Sequence, residues 1–225
     1  MIKALFLLVL MHTCYSMSSQ SQSLAFEFTL GNQPLEIGVK TYSKSLKDSL
    51  QIDAFRFYIS SVTLFNGKDS VHSLKQTHFL IDAEKKETTK LRFSTAKEFN
   101  RISFQIGVDS TTNSTGAHGG DLDPMKGMYW SWQSGYINLK LEGSSALCPT
   151  RKNEFQFHLG GYSYPNNSLT EVSLKMPKGK EKFILIPLDS FFKEIDLPFL
   201  YSVMSPGEDA TQLLKIIGDS ISSER

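Results

Sequence analysis

The sequence predicts an all-β protein, an antiparallel β-sandwich of immunoglobulin-like or Greek-key type with a C-terminal α-helix. Apolar and polar residues alternate in many short segments, among them "LAFEFTL", "RISFQIGV" and "FQFHLG". Turn-forming stretches such as "NGKD" and "PNNS" separate many of these segments, and no long helical pattern lies between them. Many short alternating strands of this kind are typical of sandwiches and barrels.

The alternation gives each predicted strand one buried face. In "FQFHLG" it directs the two phenylalanines inward, so Gln156 and His158 point to the opposite face. The side chains that the pattern places in the core include Phe26, Phe28, Phe104, Ile106, Phe155 and Phe157.

In two predicted strands the apolar residues change parity, which means that they switch between odd-numbered and even-numbered positions. A strand moves its buried face to the other side only through an extra residue or a bend. The change occurs at Ser60–Ser61 and again at Ser134–Gly135. At the second position we predict a β-bulge or kink, which would direct Ile137, Leu139 and Leu141 into the core.

One helix is predicted near the C-terminus, in "SPGEDATQLLKIIGDSI". Ser205 reads as the N-cap and Pro206 as the first helical residue, and Glu208 completes a capping box. Apolar residues then recur every fourth position and form a stripe that can pack on a sheet.

The N-terminus has the features of a secretory signal. Lys3 precedes an apolar run, Ala4–Met11, that is 8 residues long and far shorter than the roughly 20 that span a bilayer. We expect residues 1–16 to be a signal peptide, with lipidation of Cys14 as an alternative that would anchor the chain. Residues 17–225 are then a single domain, exported to the periplasm or cell envelope, with no transmembrane segment.

Charge and cysteine content exclude some functions. Lys and Arg number 24 and Asp and Glu 23, and the absence of a dense basic stripe argues against a nucleic-acid partner. Once the signal is removed, Cys148 is the single cysteine, so no intramolecular disulfide can form. We expect an inert, packed thiol there.

No catalytic motif is evident, so we expect a binding protein and not an enzyme. GxSxG, HExxH, CxxC and P-loop patterns are all absent from the sequence. Asp109, Asp121 and Asp123 lie in one glycine-rich loop and are possible calcium ligands through their carboxylate oxygens. Turn formation and helix capping are the other explanation for these aspartates.

The chemically distinctive segment is "GDLDPMKGMYWSWQSGYINLKLEG", which holds both tryptophans, Trp130 and Trp132. His118 precedes it in a loop, and His158 lies on the off-core face of a later strand. Imidazole and thioether ligands suit copper, and Cu(I) in particular. Residue types alone leave a second reading open, in which Trp130, Trp132 and Tyr136 form an aromatic platform for a glycan or peptide.

That segment resembles the signature of the MbnP-like family, exported copper-associated proteins named after a methanobactin-operon protein. "FQIGVD", "FQFHLGGY" and "SVMSPGEDA" agree with the family in the same order. The resemblance implies copper held by histidines and by a kynurenine, which a diheme cytochrome c peroxidase-like partner of the MbnH type makes from a tryptophan. The corresponding residues here are His158, His118, either Trp130 or Trp132, and Met204 as a further participant.

The chemistry of kynurenine fits such a site. An intact indole is a poor metal ligand, whereas opening its five-membered ring yields an aniline nitrogen and a ketone that can bind a metal. We therefore expect an exported copper-binding protein that acts in copper sequestration or uptake. A copper-dependent enzyme is a third possibility, for which the sequence offers no substrate-positioning residues.

Overall fold

The computed structural model describes residues 20–95, 97–131, 135–178 and 182–224. Two facing β-sheets of four and ten strands form a sandwich. The smaller sheet consists of β1 (Gln20–Leu30), β2 (Gln33–Pro34), β7 (Lys90–Thr95) and β13 (Lys182–Pro187). The larger sheet consists of β3 (Lys40–Ser43), β4 (Asp48–Asn66), β5 (Asp69–Ser73), β6 (His78–Asp82), β8 (Arg101–Ile106), β9 (Tyr129–Trp130), β10 (Gly135–Ser145), β11 (Glu154–Gly160), β12 (Thr170–Lys175) and β14 (Ser202–Val203).

Strand pairing confirms the predicted fold class, with two exceptions to its antiparallel pattern. The large sheet runs β12-β8-β4-β10-β11-β14, and β3, β5 and β6 also pair with the long strand β4. β1 pairs in parallel with β13, and β11 pairs in parallel with β14. Parallel partners need a long crossover connection, and the alternation within a strand does not reveal which distant strand it pairs with.

The main core lies between the two sheets. Phe26 meets Phe57 and Phe104 edge to face, with ring centroids 5.9 Å and 6.2 Å away, a preferred geometry for aromatic pairs. Phe28 is only partly buried and packs at the margin of this core. The other predicted core residues are buried as expected: Phe26, Phe104, Ile106, Phe155 and Phe157.

The parity change at Ser60–Ser61 corresponds to a bulge in β4. Ser61 has a φ of 54°, and pairing with β8 shifts register between Ser60 and Thr63. The shift keeps the apolar residues on both sides of it in the core, namely Phe57, Ile59, Val62 and Leu64.

The second parity change has a different cause from the one predicted. Ser134 lies outside the described residues. β9 and β10 pair antiparallel, with Trp130 opposite Gly135, so the chain reverses direction between them instead of continuing as one bulged strand. A register shift does occur, but further along, between Ile137 and Leu139.

Three helices complete the described chain: α1 (Ser110–Ser114), α2 (Leu188–Lys193) and α3 (Glu208–Ser220). The predicted start of α3 is wrong by two residues, because Gly207 is the N-cap and no side chain caps it. The capping box from Ser205 therefore does not form. The predicted apolar stripe is correct, since Leu213 and Ile217 are buried against the core.

The remaining sequence predictions concern the signal peptide, the two cysteines and membrane-spanning helices. The predicted signal peptide and Cys14 lie outside the described residues, as does the beginning of the 17–225 domain. Cys148 is a buried free thiol, and burial raises its pKa, which fits an inert role. Over the described ranges, no helix has both the length and the apolar character needed to cross a bilayer.

Candidate functional site

A second apolar cluster lies on the outer face of the large sheet, apart from the main core. It forms where residues 108–131, here called the covering segment, fold over the sheet. Tyr58 anchors this segment by donating a hydrogen bond to the Asp121 carbonyl, 3.1 Å away. The cluster contains Tyr58, Leu80, Val108, Leu122, Met128, Trp130, Tyr136 and Ile137. Ile137 was expected in the main core and lies here instead, because the register shift between Ile137 and Leu139 puts these two residues of β10 on opposite faces of the sheet.

Trp130 sits directly over β11. A Cβ on Gly160 would lie 2.6 Å from Trp130 Cζ3 and 2.9 Å from Cη2, so the six-membered ring of the indole covers that glycine. His158 is two residues earlier on the same strand and therefore on the same face. His158 thus lies two residues, or roughly 7 Å of strand, from the glycine that Trp130 covers.

His158 faces away from the main core, as predicted, yet its side chain is only 9% exposed. Its Nε2 lies 2.6 Å from Glu142 Oε1, and Lys140 Nζ lies 3.5 Å from the same oxygen. Burial lowers the pKa of His158, with partial opposition from the hydrogen bond to Glu142. Burial acts to raise the pKa of Glu142, but the bond from His158 and the charge of Lys140 outweigh it and lower that pKa. The pair is therefore a neutral imidazole beside a carboxylate.

His118 lies elsewhere. Its side chain is exposed, with Nε2 2.9 Å from Thr115 Oγ1, and its backbone N–H donates to the Tyr136 hydroxyl at 2.8 Å. His158 pairs with Lys140, four residues along β10 from Tyr136, which is about 13 Å of strand. The two histidines predicted to converge thus lie at different ends of the site.

Two further candidates can be placed only in part. Trp132 lies outside the described residues. Met204 directly follows β14, whose Val203 pairs with Phe157, so it lies beside the strand that carries His158. Its side chain is exposed.

A histidine that the sequence analysis did not select also touches the covering segment. His78 is buried, with Nε2 3.1 Å from Asp109 Oδ2 and Nδ1 3.0 Å from Thr77 Oγ1. Burial lowers the pKa of His78, and the neighbouring Asp109 partly opposes the shift. In the sequence, His78 is distinguished only as a polar residue at the start of the apolar strand β6, and this is a weak signal.

The three loop aspartates serve local structure. Asp109 accepts from the backbone N–H of Thr112 and caps α1, and Asp123 caps a short 3-10 turn through Met125. Asp121 pairs with Lys126 at 2.7 Å. Within the described ranges, no group of three His, Cys, Asp or Glu side chains is arranged to hold a metal ion. Capping thus accounts for Asp109 and Asp123, and an ion pair accounts for Asp121.

The aromatic-platform reading meets a geometric obstacle. Trp130 is 6% exposed and Tyr136 is 1% exposed. A stacking platform needs an accessible ring face, and neither residue offers one. Both rings instead fill the second apolar cluster.

Comparison with known proteins agrees with this architecture. The MbnP family model matches residues 19–205. MbnP from Methylosinus trichosporium has a similar fold, with a TM-score of 0.62, 13% sequence identity, and coverage of 84% of this chain and 83% of that one. No curated protein sequence matches significantly.

Proposed function

Because the chain belongs to the MbnP family, we propose that it is an exported copper-binding protein of the cell envelope that sequesters copper or takes it up. His158 is a copper ligand in this proposal. Trp130 or Trp132 is the residue that a diheme peroxidase-like partner oxidises to kynurenine. Copper, Cu(I) in particular, is the cargo of the protein.

The observation that carries the proposal is that Trp130 covers Gly160, two residues from His158 on the outer face of β11. A neutral imidazole offers a lone pair to a soft or borderline metal. The His158 side chain is nearly closed to solvent, and its surroundings are apolar on the side of the second cluster. A bound Cu(I) would be protected there from water.

The position of Trp130 also suits oxidation to a ligand. Ring opening would give an aniline nitrogen and a ketone on a side chain that packs on β11 two residues from His158. The peroxidase-like partner would use two equivalents of hydrogen peroxide to cleave the Cγ–Cδ1 bond of the indole, with two waters released. Hydrolysis of the resulting N-formyl group would then release Cδ1 as formate and leave kynurenine. Trp132 remains the other candidate.

His118 is not part of the primary ligand set in this proposal. It lies beside Tyr136 and α1, and sharing a metal with His158 would require residues 115–118 to move. Its loop position makes it a secondary ligand at most.

The first test compares two histidine variants. We expect His158→Ala to lose most of its Cu(I) affinity, measured by competition with a chromogenic Cu(I) chelator, and His118→Ala to keep most of it. Equal affinity in His158→Ala and the parent would remove His158 from the site. Circular dichroism checks that both variants are folded.

The second test concerns the tryptophans. Protein isolated from its native host is digested and its peptides are mapped by mass, together with metal analysis. We expect the peptide holding Trp130 and Trp132 to carry the mass of one kynurenine. Two intact tryptophans in copper-loaded native protein would contradict the oxidation step and leave the copper assignment standing.

A further inference from the structure

The contact between His158 and Glu142 determines which nitrogen of the imidazole is available. We infer that Glu142 is a positioning residue, which holds His158 as the Nε2–H tautomer and leaves Nδ1 as the nitrogen that binds copper. The assignment of Nδ1 as the copper-binding nitrogen rests on the proposed function, whereas the assignment of the tautomer does not.

The tautomer follows from the hydrogen bond. Nε2 of His158 lies 2.6 Å from Oε1 of Glu142, and a carboxylate can only accept, so Nε2 carries the proton. A neutral imidazole with one protonated nitrogen has its lone pair on the other. Nε2 itself cannot bind a metal while it faces the carboxylate.

Strand pairing fixes the geometry of this contact. Lys140 is directly opposite His158, and Glu142 is opposite Gln156, so Glu142 is the diagonal neighbour of His158 on the outer face. Diagonal neighbours are within reach of long side chains. Both residues belong to strands with partners on each side, which holds them more firmly than a loop would.

The environment makes the contact strong. The Glu142 side chain is 29% exposed and that of His158 is 9% exposed, and hydrogen bonds strengthen as water is removed. Lys140, 3.5 Å from the same carboxylate oxygen, keeps Glu142 ionised and fixes its position. Carboxylates that accept from a ligating histidine typically contribute 10- to 100-fold in metal affinity.

The first experiment uses the metal-free protein. Nitrogen-15 NMR of the imidazole should report the Nε2–H tautomer for His158 in the parent and in Glu142→Gln, whose amide oxygen still accepts. Glu142→Leu should shift the population toward the Nδ1–H form. A parent His158 in the Nδ1–H form would overturn the inference, as would an unchanged tautomer in Glu142→Leu.

Glu154 provides a matched control. It lies on the same strand as His158 and pairs with Lys152 at 3.5 Å, without touching a histidine. Glu154→Leu should leave the His158 tautomer as in the parent. A tautomer change there equal to that in Glu142→Leu would mean that general charge, and not the specific contact, sets the tautomer.

The second experiment measures Cu(I) affinity by chelator competition. We expect a loss of about 10- to 100-fold in Glu142→Leu, a smaller loss in Glu142→Gln, and none in Glu154→Leu. Parent affinity in Glu142→Leu, with affinity lost in His158→Ala, would overturn the positioning role alone. Parent affinity in His158→Ala would overturn the proposed copper site and leave the tautomer result standing.

Discussion

At the scale of single residues, the missing side chain of Gly160 determines where Trp130 lies. A Cβ at this position would lie 2.6 Å from the indole Cζ3 and 2.7 Å from the Tyr136 carbonyl oxygen. The carbonyl belongs to a paired strand and cannot move aside freely. Glycine at position 160 is therefore required for the indole to lie flat on β11 next to His158.

Gly160→Ala should displace Trp130 and lower the free energy of unfolding by about 1–3 kcal/mol, as overpacking does in other cores. Urea denaturation followed by circular dichroism measures this change, and chelator competition measures the accompanying loss of Cu(I) affinity. Gly119→Ala is the control, since nothing lies within 4 Å of its added Cβ. Parent stability and copper affinity in Gly160→Ala would show that the close approach is unimportant.

At the scale of elements, the Tyr136 hydroxyl ties the covering segment to β10. It donates to the Leu122 carbonyl at 3.0 Å and accepts from the His118 N–H at 2.8 Å. Asp109 adds a second connection through His78. The segment that leads to the tryptophans is thus held by a few buried polar contacts in addition to its apolar cluster.

Tyr136→Phe removes both contacts of the hydroxyl and leaves a buried carbonyl without its donor, at a cost of about 1–3 kcal/mol. We expect faster hydrogen exchange in the covering segment, with the His118 amide most affected. Tyr129→Phe is the comparison, because it changes the neighbouring ring and keeps both Tyr136 contacts. Equal exchange in Tyr136→Phe and the parent would mean that apolar packing alone holds the segment.

The elements also show what sequence reasoning can reach. Alternation located the core residues and the Ser60–Ser61 bulge, because burial of one face imposes a period of two on the strand. It also placed His158 off the core. It did not locate Ile137 correctly, because the register shift of β10 lies between Ile137 and Leu139, after the position that the sequence pattern indicated. It grouped His118 with His158, whereas His118 contacts Tyr136 and His158 pairs with Lys140, about 13 Å further along β10; the order of residues along the chain carries no information on that spacing.

At the scale of the whole molecule, the site is separate from the main core. His158, Glu142 and Lys140 lie on the outer face, while Phe155 and Phe157 of the same strand pack between the sheets. Substitutions of His158 and Glu142 should therefore change binding and leave the packing between the two sheets intact. This separation is what makes the histidine and glutamate variants informative.

Acidification should destabilise the whole protein through His78. Burial lowers its folded-state pKa below 6.5, an effect that Asp109 partly opposes and the nearby His118 reinforces. Between the lowered pKa and 6.5, the unfolded chain binds a proton that the folded protein does not, so stability falls as the pH drops through that window.

We expect the urea midpoint to be lower at about pH 5.5 than at about pH 7.5, and His78→Gln to reduce the difference. His158 acts with the same sign, so some pH dependence should remain in that variant. If the urea midpoint of His78→Gln changed between the two pH values as much as that of the parent, His78 would be excluded as a source of the pH dependence.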